Sequence, residues 1–148
     1  MAEQSTLEMN KNIVRTYIDD VYNAHNPDAA ANYLAPEMTW RGGVFGTMEG
    51  FPDVKNAALG GFLAAFPDLH LTEKDIVAEG DTVAIRLSAD ATQDGSLFGI
   101  PATGRPVHWD AVDMYRLSDG LIVEEWAAED TGSILSQVGE YTPPWLKK

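Results

Sequence analysis

Between Val107 and Asp130 the chain reads VHWDAVDMYRLSDGLIVEEWAAED, two alternating runs folded back around Ser118-Asp119-Gly120. Asp113 and Glu125 stand inside the alternation. A carboxylate facing inward from a sheet is costly to desolvate unless it is paired, hydrogen-bonded or put to use. With both facing one cavity, repulsion and burial raise at least one pKa, the acid/base split that proton-transfer enzymes use. The competing reading pairs one of them with Arg86 or leaves it at a solvated sheet edge.

The turn decides which residues oppose each other. A two-residue Asp119-Gly120 turn sets Asp113 opposite Trp126, whereas a three-residue loop sets it opposite Glu125. Ser-Asp-Gly suits the longer loop, because only Gly120 then needs a positive φ. The expectation is therefore an Asp113–Glu125 pair, with Trp109, Ala111, Tyr115 and Ala127 on the same face. A slip of one residue overturns it.

Around this pair, Trp40 and Trp109 are candidates to stack on a flat ligand, although indole also fills ordinary core volume. Arg86 is a candidate anchor for a carboxylate or enolate oxygen. Tyr17, Tyr115 and Phe62 complete the candidate binding set. His25, His70 and His108 lack ligand spacing, so no metal site is expected. No GxSxG, phosphate-loop or dinucleotide fingerprint is present, and no bound nucleotide cofactor is expected.

The elements that position these residues follow from periodicity. Ser5-Thr6-Leu7-Glu8 has capping-box spacing, and Val14, Tyr17, Ile18 and Val21 recur at helical spacing, predicting a first helix that ends near residues 23–26. Pro27-Asp28 opens a short second helix to about Leu34, and Pro36 to Trp40 forms a short strand. A glycine-rich stretch, Arg41 to Gly50, either approaches a ligand or simply turns. A third helix runs from about Pro52 to Phe66, with Phe62 on its apolar stripe. From Leu69 the period becomes two, giving strands to Gly80 and across Val83 to Ala89. A loop from Gln93 to Gly104 leads to the opening hairpin, and Asp130 caps a last helix that Gly139 ends. Helices first and four long antiparallel strands after them predict an α+β fold, with helices on the concave face of one bent sheet.

At 148 residues the chain fits one domain, 1–148, with a substantial core. Its 10 basic and 23 acidic residues give a charge of −13, which opposes a nucleic-acid partner. There is no cysteine, which excludes disulfide and thiolate chemistry. No apolar run approaches the roughly 20 residues that span a bilayer, so no membrane partner is expected and a cytoplasmic location is the default. Val112, Met114, Ile122 and Trp126 make the hairpin's second face apolar too. Since the helices cover only one face, the other is a candidate homodimer interface, or is roofed by the proline-rich tail around Pro143-Pro144.

Several phrases resemble the SnoaL-like polyketide cyclase family, within the nuclear-transport-factor-2-like superfamily: FPDLHLT (Phe66 to Thr72), IVAEGDTVAIR (Ile76 to Arg86), FGIPATGR (Phe98 to Arg105) and YRLSDGLIVEEW (Tyr115 to Trp126). The resemblance spans about Phe66 to Gly139, with weaker similarity across the first helix. It implies a cone-shaped α+β barrel, a curved mostly antiparallel sheet with about three helices on its concave face. It also implies a deep apolar cavity, usual dimerisation, and no metal or organic cofactor. In the family's aldol cyclases an inward His on the first hairpin strand and an inward Asp on the second serve the chemistry. Here those positions fall on Asp113 and Ala127, with Glu125 the nearest substitute for the missing Asp. The expected activity is a cofactor-independent cyclase or isomerase acting on a polyketide-like carbonyl compound. Asp113 and Glu125 would be the proton carriers. An epoxide-opening or hydroxylation-associated enzyme and a non-catalytic small-molecule-binding protein are the alternatives.

Overall fold

A computed structural model describes all residues, Met1–Lys148. Helix α1 (Ala2–Tyr17) runs on into a π-helical turn, Ile18–Asn23. Val14, Tyr17, Ile18 and Val21 are buried along it, as their spacing requires. The helix starts before the capping box, with Met1 at the N-cap, so Ser5 lies inside it and does not cap it. Pro27–Asn32 is a 3-10 turn. It leads into β1 (Leu34–Arg41) and β2 (Thr47–Glu49). A second helical run comprises α2 (Phe51–Asp53), a π turn (Val54–Gly60) and α3 (Gly61–Ala65), and ends just before Pro67. Strands β3 (His70–Glu79), β4 (Thr82–Thr92), β5 (Pro106–Ser118) and β6 (Leu121–Glu129) follow. Helix α4 (Thr131–Val138) starts at Asp130, whose carboxylate accepts from Ser133 N, and ends at a left-handed Gly139.

One six-stranded sheet runs β2-β1-β6-β5-β4-β3. Only the β1–β6 pairing is parallel. Alternation settles its faces: Val83, Ile85, Leu87 and Ala89 of β4 are buried, with Trp109, Ala111, Asp113 and Tyr115 of β5 beside them. The fold is the expected α+β architecture, a curved, mostly antiparallel sheet closed by helices. No helix is long and apolar enough to cross a membrane.

The hairpin closes differently from the expectation. Asp119 and Gly120 both take positive φ, 50° and 79°, so the loop is the two-residue kind and Ser118 pairs with Leu121. The register then shifts between Arg116 and Leu117, with Val123 the unpaired extra residue of a bulge on β6. Asp113 consequently faces Ala127, and Tyr115 faces Glu125. The bulge restores the parity that the tighter turn would have reversed. Asp113, Tyr115, Glu125 and Ala127 thus share the inward face, but Asp113 and Glu125 are not directly opposite. The same bulge turns Ile122 into the core, where it is fully buried, removing it from the expected outer patch. Val112 and Met114 stay half-exposed.

Candidate active site

Between the sheet and the helical runs lies a cavity of about 630 Å³, within the roughly 300–1,000 Å³ range of small-molecule sites. Tyr22, Trp40, Phe45, Met48, Phe62 and Phe98 form most of its wall, with Ala127 and Glu129 from β6. Both π turns contribute: Tyr22 lies on the first, Ala57 and Ala58 on the second. Such widened turns re-aim side chains and recur at functional sites.

Two loops frame the cavity. Glycines 43 and 46, at φ 60° and 86°, carry the turn that brings Phe45 forward. Across from it, the buried Gln93 side chain pins the 93–104 loop by donating to the carbonyls of Gly95 and Pro101 and accepting from Thr103. That loop presents Phe98, which stacks on Phe45 with ring centroids 4.4 Å apart. Gly42 has an ordinary φ, but a Cβ there would come within 1.9 Å of the Trp40 ring. The glycine-rich stretch therefore makes room for an indole as well as turning.

Glu129 is the single carboxyl on the wall. The Trp109 indole N–H donates to it, while the Trp109 ring packs against Phe62 and Phe66. Burial pushes the Glu129 carboxyl up to about 7, against the partial relief of that hydrogen bond. One layer deeper are Glu125, fully buried, and Asp113, nearly so. Burial, then repulsion from Glu129, pushes Glu125 up to about 8. Burial and the two glutamates also push Asp113 well above the usual carboxylate range, although Ala128 N–H donates to it at 3.1 Å. The Tyr115 hydroxyl donates to Asp113 across 3.5 Å. Tyr17 is fully buried, its ring edge-on to Tyr22 and Tyr115.

A sequence profile of SnoaL-like polyketide cyclases matches residues 12–138. The chain belongs to the SnoaL-like polyketide cyclase family. A candidate SnoaL-like polyketide cyclase from Jannaschia sp. CCS1 superposes with TM-score 0.84 at 22% identity, over 93% of this chain and 95% of that one. AclR from Streptomyces galilaeus, a candidate hydroxylase, gives TM-score 0.80 and 27% identity over 92% and 99% of the two chains. IdmH from Streptomyces antibioticus, a candidate polyketide cyclase, gives 0.73 and 26% over 88% and 98%. A search of curated protein sequences finds no match.

Among the residues expected at the site of this family member, Trp40 and Phe62 line the cavity. Asp113, Glu125, Tyr17, Tyr115 and Trp109 form the layer behind. Arg86 does not join them. It points outward from β4 and binds Asp75 on the exposed face, at 2.6 and 2.9 Å. The alternation that buries Ile85 and Leu87 puts Arg86 on the other side. Glu129 was missed, although continuing the period of two from Glu125 through Ala127 reaches it. His108, also outward, pairs with Asp90 at 2.9 Å.

Proposed function

We propose that the protein is a cofactor-independent cyclase or isomerase acting by acid/base chemistry on a polyketide-like carbonyl compound. The observation that carries this reading is one carboxyl, Glu129, on an otherwise apolar wall, with its pKa raised to about 7. A base poised near the working pH combines a useful ionised fraction with useful basicity. Ionised Glu129 takes a proton from carbon beside a carbonyl, and the C–H electron pair moves into the enolate. The enolate carbon then attacks a second carbonyl of the same molecule, or is reprotonated elsewhere. In the first case Glu129 returns its proton to the new alkoxide; in the second the proton reaches carbon. Asp113 and Glu125 hold the protons behind it, and Asp113 meets the wall through small Ala127.

Glu129→Gln and Asp113→Asn test this directly. Each is expected to lower turnover of a carbonyl substrate at least about a hundredfold while ligand binding persists, in keeping with the contribution of one acid/base group. Full activity in both variants removes the assignment. Similarity to AclR favours a second reading, hydroxylation-associated or epoxide-opening chemistry in the same cavity; labelled oxygen appearing in the product would select it. We also propose a homodimer through the outer sheet face. Half-exposed Val112 and Met114 support it, as does Trp126 flanked by the guanidinium groups of Arg41 and Arg116 at 5.2 and 5.5 Å. Sedimentation at micromolar concentration tests it.

A further inference from the structure

Four buried polar atoms near the cavity have no hydrogen-bond partner: Trp40 Nε1, the Tyr17 hydroxyl and both carboxyl oxygens of Glu125. Buried polar atoms are overwhelmingly paired in folded proteins, and each orphan costs about 1–3 kcal/mol. These four belong to one layer. Trp40 is the neighbour of Glu125 in the β1–β6 pairing, and Tyr115 is its neighbour in the β5–β6 pairing. Tyr17 sets its ring against Tyr115 at 6.0 Å between centroids. The Trp40 N–H and the Tyr115 hydroxyl are close enough to lower the Glu125 pKa, yet neither makes a bond of acceptable geometry to it.

The layer meets the cavity through two wall residues. Trp40 lines the wall with its ring, and Tyr22, also on the wall, touches Tyr17 edge-on at 5.7 Å. Indole N–H can only donate, and phenol O–H and a neutral carboxyl can donate too. No Lys, Arg or His lines the cavity to attract an anionic group. Unpaired donors gathered directly behind Trp40 and Tyr22 of an apolar wall suit an uncharged ligand whose acceptor oxygen reaches between those two side chains. A carboxylic acid kept neutral by an apolar site is an effective donor to such an oxygen, especially as enolate charge develops.

We propose that Trp40 Nε1, the Tyr17 hydroxyl and the Glu125 carboxyl form a hydrogen-bonding subsite for one carbonyl or phenolic oxygen at the inner end of an apolar ring system. The subsite deepens the reading of the cavity as a carbonyl-compound site and rests on it. Glu129 is the base in that reading, and this cluster holds the oxygen. Trp40 and Tyr17 are then specificity-determining residues, and Glu125 works here in its protonated form.

The test uses two probes of nearly equal shape, 2-naphthol and 2-methylnaphthalene, with binding read from protein fluorescence and calorimetry at pH 6.5. The intact protein is expected to prefer 2-naphthol about tenfold or more, the discrimination a buried hydrogen-bond site gives. Trp40→Phe and Tyr17→Phe should each erase most of that preference, read as the ratio of the two affinities in the same variant, whatever the change in 2-methylnaphthalene affinity itself. Glu125→Gln, which can still donate, should keep the preference; Glu125→Leu should lose it. Equal affinity for the two probes in the intact protein overturns the subsite but leaves the cavity reading standing. A preference unchanged in the Trp40 and Tyr17 variants also overturns it, as a buried water serving these atoms would predict. Failure of both probes to bind overturns the subsite and the cavity reading together. Thermal melting confirms that each variant is folded; if Tyr17→Phe is not, Trp40→Phe decides.

Discussion

Asp113 and Ala127 face each other directly across β5 and β6 on the inward side of the sheet. Ala127 lines the cavity with a single methyl group, and Asp113 behind it has Ala128 N–H and the Tyr115 hydroxyl as partners. Ala127→Asp would set two carboxyls in one cross-strand pair, an arrangement in which like charges repel. The expected cost is about 1 kcal/mol at pH 8, shrinking as the pH falls and the carboxyls take up protons. For a domain of this size that is a fall of roughly 2–4 °C in Tm. A pH-independent Tm change would show that the two side chains do not share an environment.

The buried acids also set a stability trend for the unmodified protein. Glu125 lies at about 8 and Glu129 at about 7 in the fold, against 4.5 for an ordinary glutamate. Between those limits the folded chain binds more protons than the unfolded chain. Their contribution is whole below about pH 4.5 and is lost as the pH rises through 7 to 8. Glu125→Gln should flatten that slope, gaining on the order of 2–3 kcal/mol at pH 8.5 relative to its effect at pH 5. Urea melts at the two pH values measure the difference, and parallel curves for both proteins would contradict the raised Glu125 pKa.

Much of this arrangement was legible from parity. A period of two on β5 needs nothing distant to place Trp109, Asp113 and Tyr115 on one face. The pairing across the hairpin was not legible, because it depends on a turn and a bulge whose effects compensate. Asp119 adopts the positive φ that the longer loop would have spared it, and Val123 corrects the register one step later. The outward orientation of Arg86 was legible in the alternation of Val83, Ile85, Leu87 and Ala89 around it, but its charge alone made it a candidate for the site. The Phe45–Phe98 stack was hidden for a different reason. It joins two loops distant in sequence, neither of which has a periodic signal.

Gly42 is required by the Trp40 indole and not by its own backbone. Gly42→Ala should push the ring away from its seat, since the new Cβ meets ring carbons and not the end of a flexible chain. Binding of 2-naphthol is expected to weaken by about tenfold or more, with a stability loss of about 1–3 kcal/mol from overpacking. Unaltered affinity would mean that the indole finds an equivalent position.

The Arg86–Asp75 pair is solvated, with side-chain exposures of 49% and 69%. Arg86→Gln should therefore leave kcat/KM within about twofold and cost no more than about 1 kcal/mol in a denaturant melt. A large loss of turnover with intact stability would place the guanidinium at the reacting centre after all.

Trp109 offers a sharper test of the proposed base. Its N–H favours ionised Glu129, whereas burial favours the neutral acid, and burial prevails to leave the carboxyl at about 7. If Glu129 must be ionised to accept the substrate proton, kcat/KM falls below about pH 7 and rises above it. Trp109→Phe removes the N–H but keeps an aromatic ring against Phe62 and Phe66. Glu129 should then hold its proton to higher pH, and the rising limb should move upward by about one unit, the size of a single charge-assisted hydrogen bond. A purely structural Trp109 would lower activity equally at every pH. A limb that stays at 7 in the variant would therefore separate Trp109 from proton transfer, whatever the change in stability.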